Sequence, residues 1–250
     1  MGSFRRTSFG LKQVVRPQIE RAFASQLVDH IRAHDFALEL GPLIVRLPHS
    51  FGLCHGVERA IQLAFETRQR YPGARLFLTD EIVHNPAVNQ RLREMGYRYL
   101  GGRYADGYTV QDLGPDDVVL LPAFGVETPL LEALRRRGVQ MVDAVCGEVM
   151  LVWKRVREYA REGCTTLIHG APRHQETRAT VSRVQQPDPF LPQAIESRGA
   201  WLVLRDLDDA RQVARFVRGE LDAAAFAAHF AGCMSPGFDA ARDLERIGIA

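Results

Sequence analysis

The sequence is poor in cysteine and nearly free of net charge, and it has no long apolar run. Four cysteines, at 54, 146, 164 and 233, are spread over 250 residues. No two form a C-x-x-C pair, and so few thiols exclude a disulfide scaffold. The expected setting is a reducing cytosol, where a special cysteine acts as ligand or nucleophile. Lys and Arg number 32 against 30 Asp and Glu, a net charge of +2. That balance excludes a polyelectrolyte chain and gives no case for nucleic acid as a partner. No stretch of about 18 apolar residues occurs, so no membrane span is expected.

What remains is an ordinary globular mixture, 46% hydrophobic and 25% charged, enough for one large domain or two of usual size. Residues 1–28 carry five Arg or Lys and a single acid, Glu20, as a transit peptide would. Within PQIERAFASQLVDHIRAH, however, Ile19, Phe23, Leu27 and Ile31 recur every four positions. That spacing predicts one amphipathic leading helix instead.

From residue 43 onward strand and helix patterns alternate. Strands are predicted over 43–47, 75–79, 117–123, 139–145, 165–170 and 200–206, and helices over 56–70, 86–96, 127–138, 148–163 and 207–219. The alternation predicts βαβ units and mainly parallel sheets. The expected fold is α/β, with two successive lobes, 43–142 and 143–250, behind an N-terminal helical extension, 1–42. Residues 185–199 read as a Pro-rich surface loop or insertion.

A faint repeat links the lobes. LIVRLPHSFGLCHGVERAI and VQMVDAVCGEVMLVWKRV share an apolar strand, a cysteine, a glycine within two residues and a long helix. Cys54 and Cys146 are therefore expected at C-terminal strand ends, where open α/β sheets bind ligands. A helix N-terminus stabilises a thiolate through free N–H groups and the helix dipole, and a thiolate binds metal. The other reading is that each cysteine only fills space. Cys164 reads as packing, and Cys233 in its turn-rich stretch carries either reading. TDEIVHNPAVN places His84 and Asn85 before Pro86, where a phosphate would meet free backbone N–H groups. IHGAPRHQET repeats that logic with His169, His174 and Glu176, and a carboxylate two residues from a histidine suits a proton relay. The alternative for both is a polar loop with capping side chains, Asn-Pro being a common turn signal.

The ordered segments FGLCHGVERAI, EIVHNPAVNQRL, LPAFGVETPLL, VDAVCGEV, IHGAPRHQETRAT and SPGFDAARDLERIGIA resemble the 4-hydroxy-3-methylbut-2-enyl diphosphate reductase family over nearly the whole chain. The resemblance is to the longer plant and cyanobacterial form, with Phe124 where shorter bacterial forms have a third histidine. It implies three α/β units in a pseudo-threefold arrangement, each giving one cysteine to a [4Fe-4S] cluster; Cys54 and Cys146 would be two of these ligands. It implies an allylic diphosphate substrate held by His84, His174 and Asn85, with Glu176 in the proton relay. The implied reaction is reductive dehydroxylation to isopentenyl and dimethylallyl diphosphate, the last step of the non-mevalonate isoprenoid pathway. The implied electron donor is ferredoxin or flavodoxin, and the implied location is the cytoplasm, or the plastid stroma in a plant or alga.

There are departures. The family continues past the equivalent of LERIGIA to a third cysteine and a Ser/Asn diphosphate motif, whereas this sequence ends at Ala250. The usual Thr-Cys-Pro reads Val145-Cys146-Gly147, and His55 stands where Trp usually follows the first cysteine. The expectation is two lobes of three, inactive without a separate C-terminal lobe: a fragment, a split gene product or a decayed paralogue. The alternative is a non-catalytic α/β module that binds diphosphate without a stable cluster. A cysteine-nucleophile hydrolase is disfavoured, because His55 is adjacent to the thiol in sequence and would point away.

Overall fold

The computed structural model describes residues 2–185 and 199–250, so the loop predicted over 185–199 lies outside the described residues but for its two ends. In chain order the elements are β1 (Phe4–Arg5), α1 (Lys12–Ala22), α2 (Gln26–Ala33), β2 (Ala37–Leu40), β3 (Leu43–Arg46), α3 (His55–Arg70), β4 (Leu76–Leu78), α4 (Pro86–Glu94), β5 (Tyr97–Tyr99), β6 (Val118–Leu121), α5 (Thr128–Arg137), β7 (Gln140–Asp143), α6 (Gly147–Arg161), β8 (Thr165–His169), α7 (Gln175–Gln185), β9 (Trp201–Leu204), α8 (Leu207–Val217), α9 (Ala223–His229), α10 (Ala240–Asp243) and β10 (Ile247–Ile249).

Among the described residues these strands form two parallel sheets and a hairpin. The first sheet has the order β1-β7-β6-β4-β5 and the second β10-β8-β9. The strands β4 and β6, LFL and VVLL, are buried at every position, as a parallel sheet covered on both faces requires. Alternate residues serve opposite faces. Leu76, Leu78, Val118, Leu120 and Val142 pack with Ile61 and Phe65 of α3 and Val15 of α1. Phe77, Val119, Leu121 and Met141 meet Leu131 and Leu134 of α5. The second sheet has a core of its own, in which Leu167 and Leu202 pack with Val156, Val184 and Phe226. Helix α6 leaves the first sheet after β7 yet packs on α7 and β8, so it joins the two.

Two expectations are corrected. The predicted strand 43–47 does not open the first parallel sheet. It pairs antiparallel with β2, Leu40 opposite Leu43 across a two-residue turn, because a tight hairpin satisfies its backbone locally. Leu43 and Ile44 consequently remain more than half exposed. The single leading helix is two helices, because Ser25 adopts an extended conformation and accepts from Val28 N to cap α2. The N-terminal segment is not purely helical either: β1 is an edge strand of the first sheet, and β2 belongs to the hairpin.

From β4 the chain runs to β5 on one side, then crosses back to β6 on the other. Loops that diverge at such a reversal leave a crevice beyond the C-terminal strand ends. The loops 79–85 and 122–127 flank this one.

Candidate active site

The loop after β4 owes its shape to Asn89, a fully buried amide on α4. Its Nδ2 donates to Val83 O at 2.7 Å and to Asn85 O at 3.0 Å, and its Oδ1 accepts from Ile82 N at 3.1 Å. Asn85 caps α4, its Oδ1 accepting from Ala87 N at 3.0 Å and Val88 N at 3.2 Å. That is the capping reading of this motif. His84 is left projecting from the loop, half exposed, with Nδ1 3.2 Å from Glu81 Oε2.

Phe124 supplies the floor. Its ring stacks on His84 with centroids 4.3 Å apart and planes at 22°, and it meets His174 edge-on at 5.4 Å. The following Gly125 has φ +79°, and a Cβ there would fall 2.3 Å from the Trp153 ring, so the turn cannot carry a side chain. Arg183, buried on α7, lies over Trp153 and donates to Val126 O at 2.6 Å. Helix α7 thus holds the loop after β6 in place.

The chain leaving the second sheet after β8 delivers His174, in the turn before α7. Its Nε2 stands 2.8 Å from His84 Nε2, and its Nδ1 accepts from Glu176 N at 3.2 Å. The two histidines, 90 residues apart in sequence, therefore meet across the two sheets with ring nitrogens in contact. Glu176 lies in the first turn of α7. Beside the pair, burial raises the Asp80 carboxyl above its ordinary range, and Arg178 pairs with Glu127.

The two cysteines occupy equivalent places. Cys54 is the N-cap of α3 and Cys146 the N-cap of α6, and neither side chain makes a capping bond. A Cβ on Gly56, in the first turn of α3, would lie 2.5 Å from Cys146 Sγ. The start of one helix is thus seated on the thiol of the other. Arg59 fastens this contact, donating to Val145 O at 3.0 Å, Asp143 O at 3.2 Å and Arg6 O at 2.5 Å. Cys146 N donates to Ala123 O at 2.9 Å, next to Phe124. Cys54 is exposed, Cys146 half-buried, and Cys164 and Cys233 are buried. Cys233 packs in the second core. Of the strand positions expected for the pair, Cys146 follows β7 of the first sheet, while the strand before Cys54 is that of the hairpin.

The structure thus brings His84 to His174, Glu176 to His174, and Cys146 to the helix that Cys54 caps. Sequence reasoning missed Glu81, Asn89, Arg59 and Gly125. Glu81, three residues before His84, and Asn89, whose partners lie four to seven residues away, were within reach of a spacing argument; Arg59 and Gly125 depend on tertiary contacts.

A family model described as LytB protein matches residues 45–200. Curated relatives include the 4-hydroxy-3-methylbut-2-enyl diphosphate reductases of Synechococcus sp. strain CC9605, 40% identical over 251 residues, and Prochlorococcus marinus strain MIT 9313, 39% identical over 249. Each match takes in 99% of this chain and 58% of the relative; the chain spans less than two thirds of their length. A solved (E)-4-hydroxy-3-methylbut-2-enyl diphosphate reductase superposes with a TM-score of 0.52 at 21% identity, over 80% of this chain and 64% of its own. A solved E-1-hydroxy-2-methyl-but-2-enyl-4-diphosphate reductase from Plasmodium falciparum gives 0.50 at 18% identity, over 77% and 58%. These two likenesses concern the fold.

Proposed function

This chain belongs to the LytB family, and from that premise we propose that it carries two lobes of a site for reductive dehydroxylation of an allylic diphosphate, 4-hydroxy-3-methylbut-2-enyl diphosphate. The observation that carries the reading is the contact of His84 and His174 across the two sheets, beside two helix N-termini that each present a thiol. Imidazole N–H groups bind phosphate oxygens, and Asn85 adds its side-chain amide N–H, its Oδ1 being engaged in the cap of α4. Glu176, next to His174, donates and receives protons at the reacting end of the substrate.

Cys54 and Cys146 fit as two ligands of a [4Fe-4S] cluster. The seating of Cys146 Sγ against Gly56 draws them together, and each helix dipole favours the thiolate. Bound there, the cluster would supply electrons and Lewis acidity. Among the described residues no three His, Cys, Asp or Glu side chains converge as metal ligands, so the reading assigns the third thiolate to a separate lobe. A donor of the ferredoxin or flavodoxin type, and a cytoplasmic or plastid-stromal setting, belong to the same reading. Among the described residues no helix is long and apolar enough to cross a membrane.

The same shortage of ligands favours one competing reading, a diphosphate-binding module without a stable cluster. Anaerobic reconstitution separates the two. A broad visible absorption that Cys54→Ser and Cys146→Ser each abolish is expected for the reductase. A colourless protein that still binds diphosphate would establish the module. Turnover is then expected only when the third lobe of a longer relative is added in trans, and full turnover by this chain alone would refute the assignment of the third ligand.

A further inference from the structure

The carboxylate of Glu81 ends a chain of ring contacts that admits one placement of protons. Glu176 N–H donates to His174 Nδ1 at 3.2 Å, so that nitrogen carries a lone pair and the neutral ring holds its proton on Nε2. His174 Nε2–H then donates to His84 Nε2 at 2.8 Å, which leaves the His84 proton on Nδ1. That N–H faces Glu81 Oε2 at 3.2 Å. The reverse order would place a proton on His174 Nδ1, pointing at the backbone N–H of Glu176, donor against donor. A backbone amide sets the direction at one end and a carboxylate confirms it at the other.

We infer that Glu81 is a positioning residue, holding His84 as the Nδ1–H tautomer with Nε2 toward the anion and stabilising the imidazolium that forms when the anion enters. The inference rests on the reading of the histidine pair as the diphosphate site. Without an anion the two Nε2 atoms satisfy each other and share one proton. An oxyanion seated between them needs an N–H from both. Binding therefore takes up a proton at His84 Nε2, and the positive ring is then paired with Glu81. The charged groups on the elements that carry the pair are Asp80 and Glu81 in the loop after β4, Glu127 in the loop after β6, Arg173 in the turn before α7, and Glu176 and Arg178 on α7. Glu127 and Arg178 neutralise each other, and the Asp80 charge acts on His84 only at a distance, while its carboxyl is pushed up by burial. Glu81 touches the ring.

Two measurements on the reconstituted or cluster-free chain test this. Ring-nitrogen NMR should show His84 as the Nδ1–H tautomer in the wild type and in Glu81→Gln, whose carbonyl still accepts. That preference should disappear in Glu81→Ala. Calorimetry with inorganic diphosphate should show proton uptake and an affinity that falls as pH rises. Glu81→Gln should bind within about threefold of wild type near pH 6 and about tenfold more weakly near pH 8, where the proton taken up on binding is scarcer and only the carboxylate balances its charge. Glu81→Asp should recover most of the loss. An unchanged tautomer in Glu81→Ala would overturn the positioning role even if diphosphate binds. An equal weakening at every pH would overturn it too, leaving a merely structural carboxylate. A wild type with the expected tautomers that fails to bind diphosphate would refute the functional reading and the proton uptake, but not the tautomer assignment.

Discussion

Gly56 shows how far one residue can be read from its neighbours. A glycine within two residues of each cysteine is visible in the sequence, but its reason is not. It lies in the facing thiol, since a Cβ at Gly56 would sit 2.5 Å from Cys146 Sγ and 3.1 Å from Cys146 Cβ. Two effects of similar size compete in Gly56→Ala. Alanine gains about 1 kcal/mol of helix propensity, and displacing Cys146 from its rotamer costs about 1 kcal/mol. The unfolding midpoint should therefore move little while the thiol moves a good deal. Cys146 should alkylate several-fold faster than in the wild type, followed by peptide mapping. An unchanged rate with unchanged stability would mean that the first turn of α3 does not rest on the thiol. The histidines were legible as residues and as loop positions. Their contact was not, because nothing local joins positions 84 and 174. Phe124 could be read as a replaced histidine, and the structure adds that it carries His84 on its face.

At the scale of elements, the strands that could be read were those whose apolar runs are buried on both faces, β4, β6, β7, β8 and β9. Two- and three-residue strands such as β1 and β10 carry no periodicity of their own; they exist because a neighbouring edge accepts them. The strand β5 is hidden in YRY, where Tyr97 and Tyr99 are buried on one face and Arg98 points out. The segment 43–46 was correctly a strand but wrongly placed, because a hairpin partner across a two-residue turn outcompetes a distant sheet. Asp206 caps α8 by accepting from Asp209 N. The role of Asp209 was not legible. Its buried carboxylate takes both Arg205 Nε at 2.8 Å and Nη2 at 2.7 Å, and His229 Nε2 stands 2.7 Å away on α9. The Arg205 bonds, with His229 added, hold this carboxyl far below its ordinary value against the opposing effect of burial. A depressed folded pKa stabilises the fold above the unfolded value, about 3.9, and that contribution is lost as pH falls below it toward the folded value. Asp209→Asn should therefore cost about 1–3 kcal/mol at pH 7, the half-exposed Arg205 limiting the upper end. The difference from wild type should shrink on going to about pH 3. Urea midpoints at the two pH values decide this, and a difference that stays constant would show that packing rather than charge sets the cost.

For the whole molecule, the arrangement that matters is that neither sheet owns the histidine pair. Each sheet has a separate core, and α6 passes from one to the other. Between them lie the His84–His174 contact and the hold of Arg183 on Val126 O. Contacts between two separately cored halves cost less to break than unfolding either half. An anion that binds both histidines binds the closed arrangement, so it should stabilise the two lobes together. At a hundredfold excess of inorganic diphosphate over its dissociation constant, about 2.7 kcal/mol is available. Amide hydrogen exchange should then slow in β4 and β6 of the first sheet and in β8 and β9 of the second by a common factor, where exchange proceeds through opening between the lobes. In His84→Ala or His174→Ala the anion retains a grip on one lobe only, and protection should be confined to the loop that keeps its histidine. Protection of the loop 79–85 alone in the wild type would show that the anion rests on the N-terminus of α4 without reaching His174, and the pair would lose its standing as a bridge between the lobes.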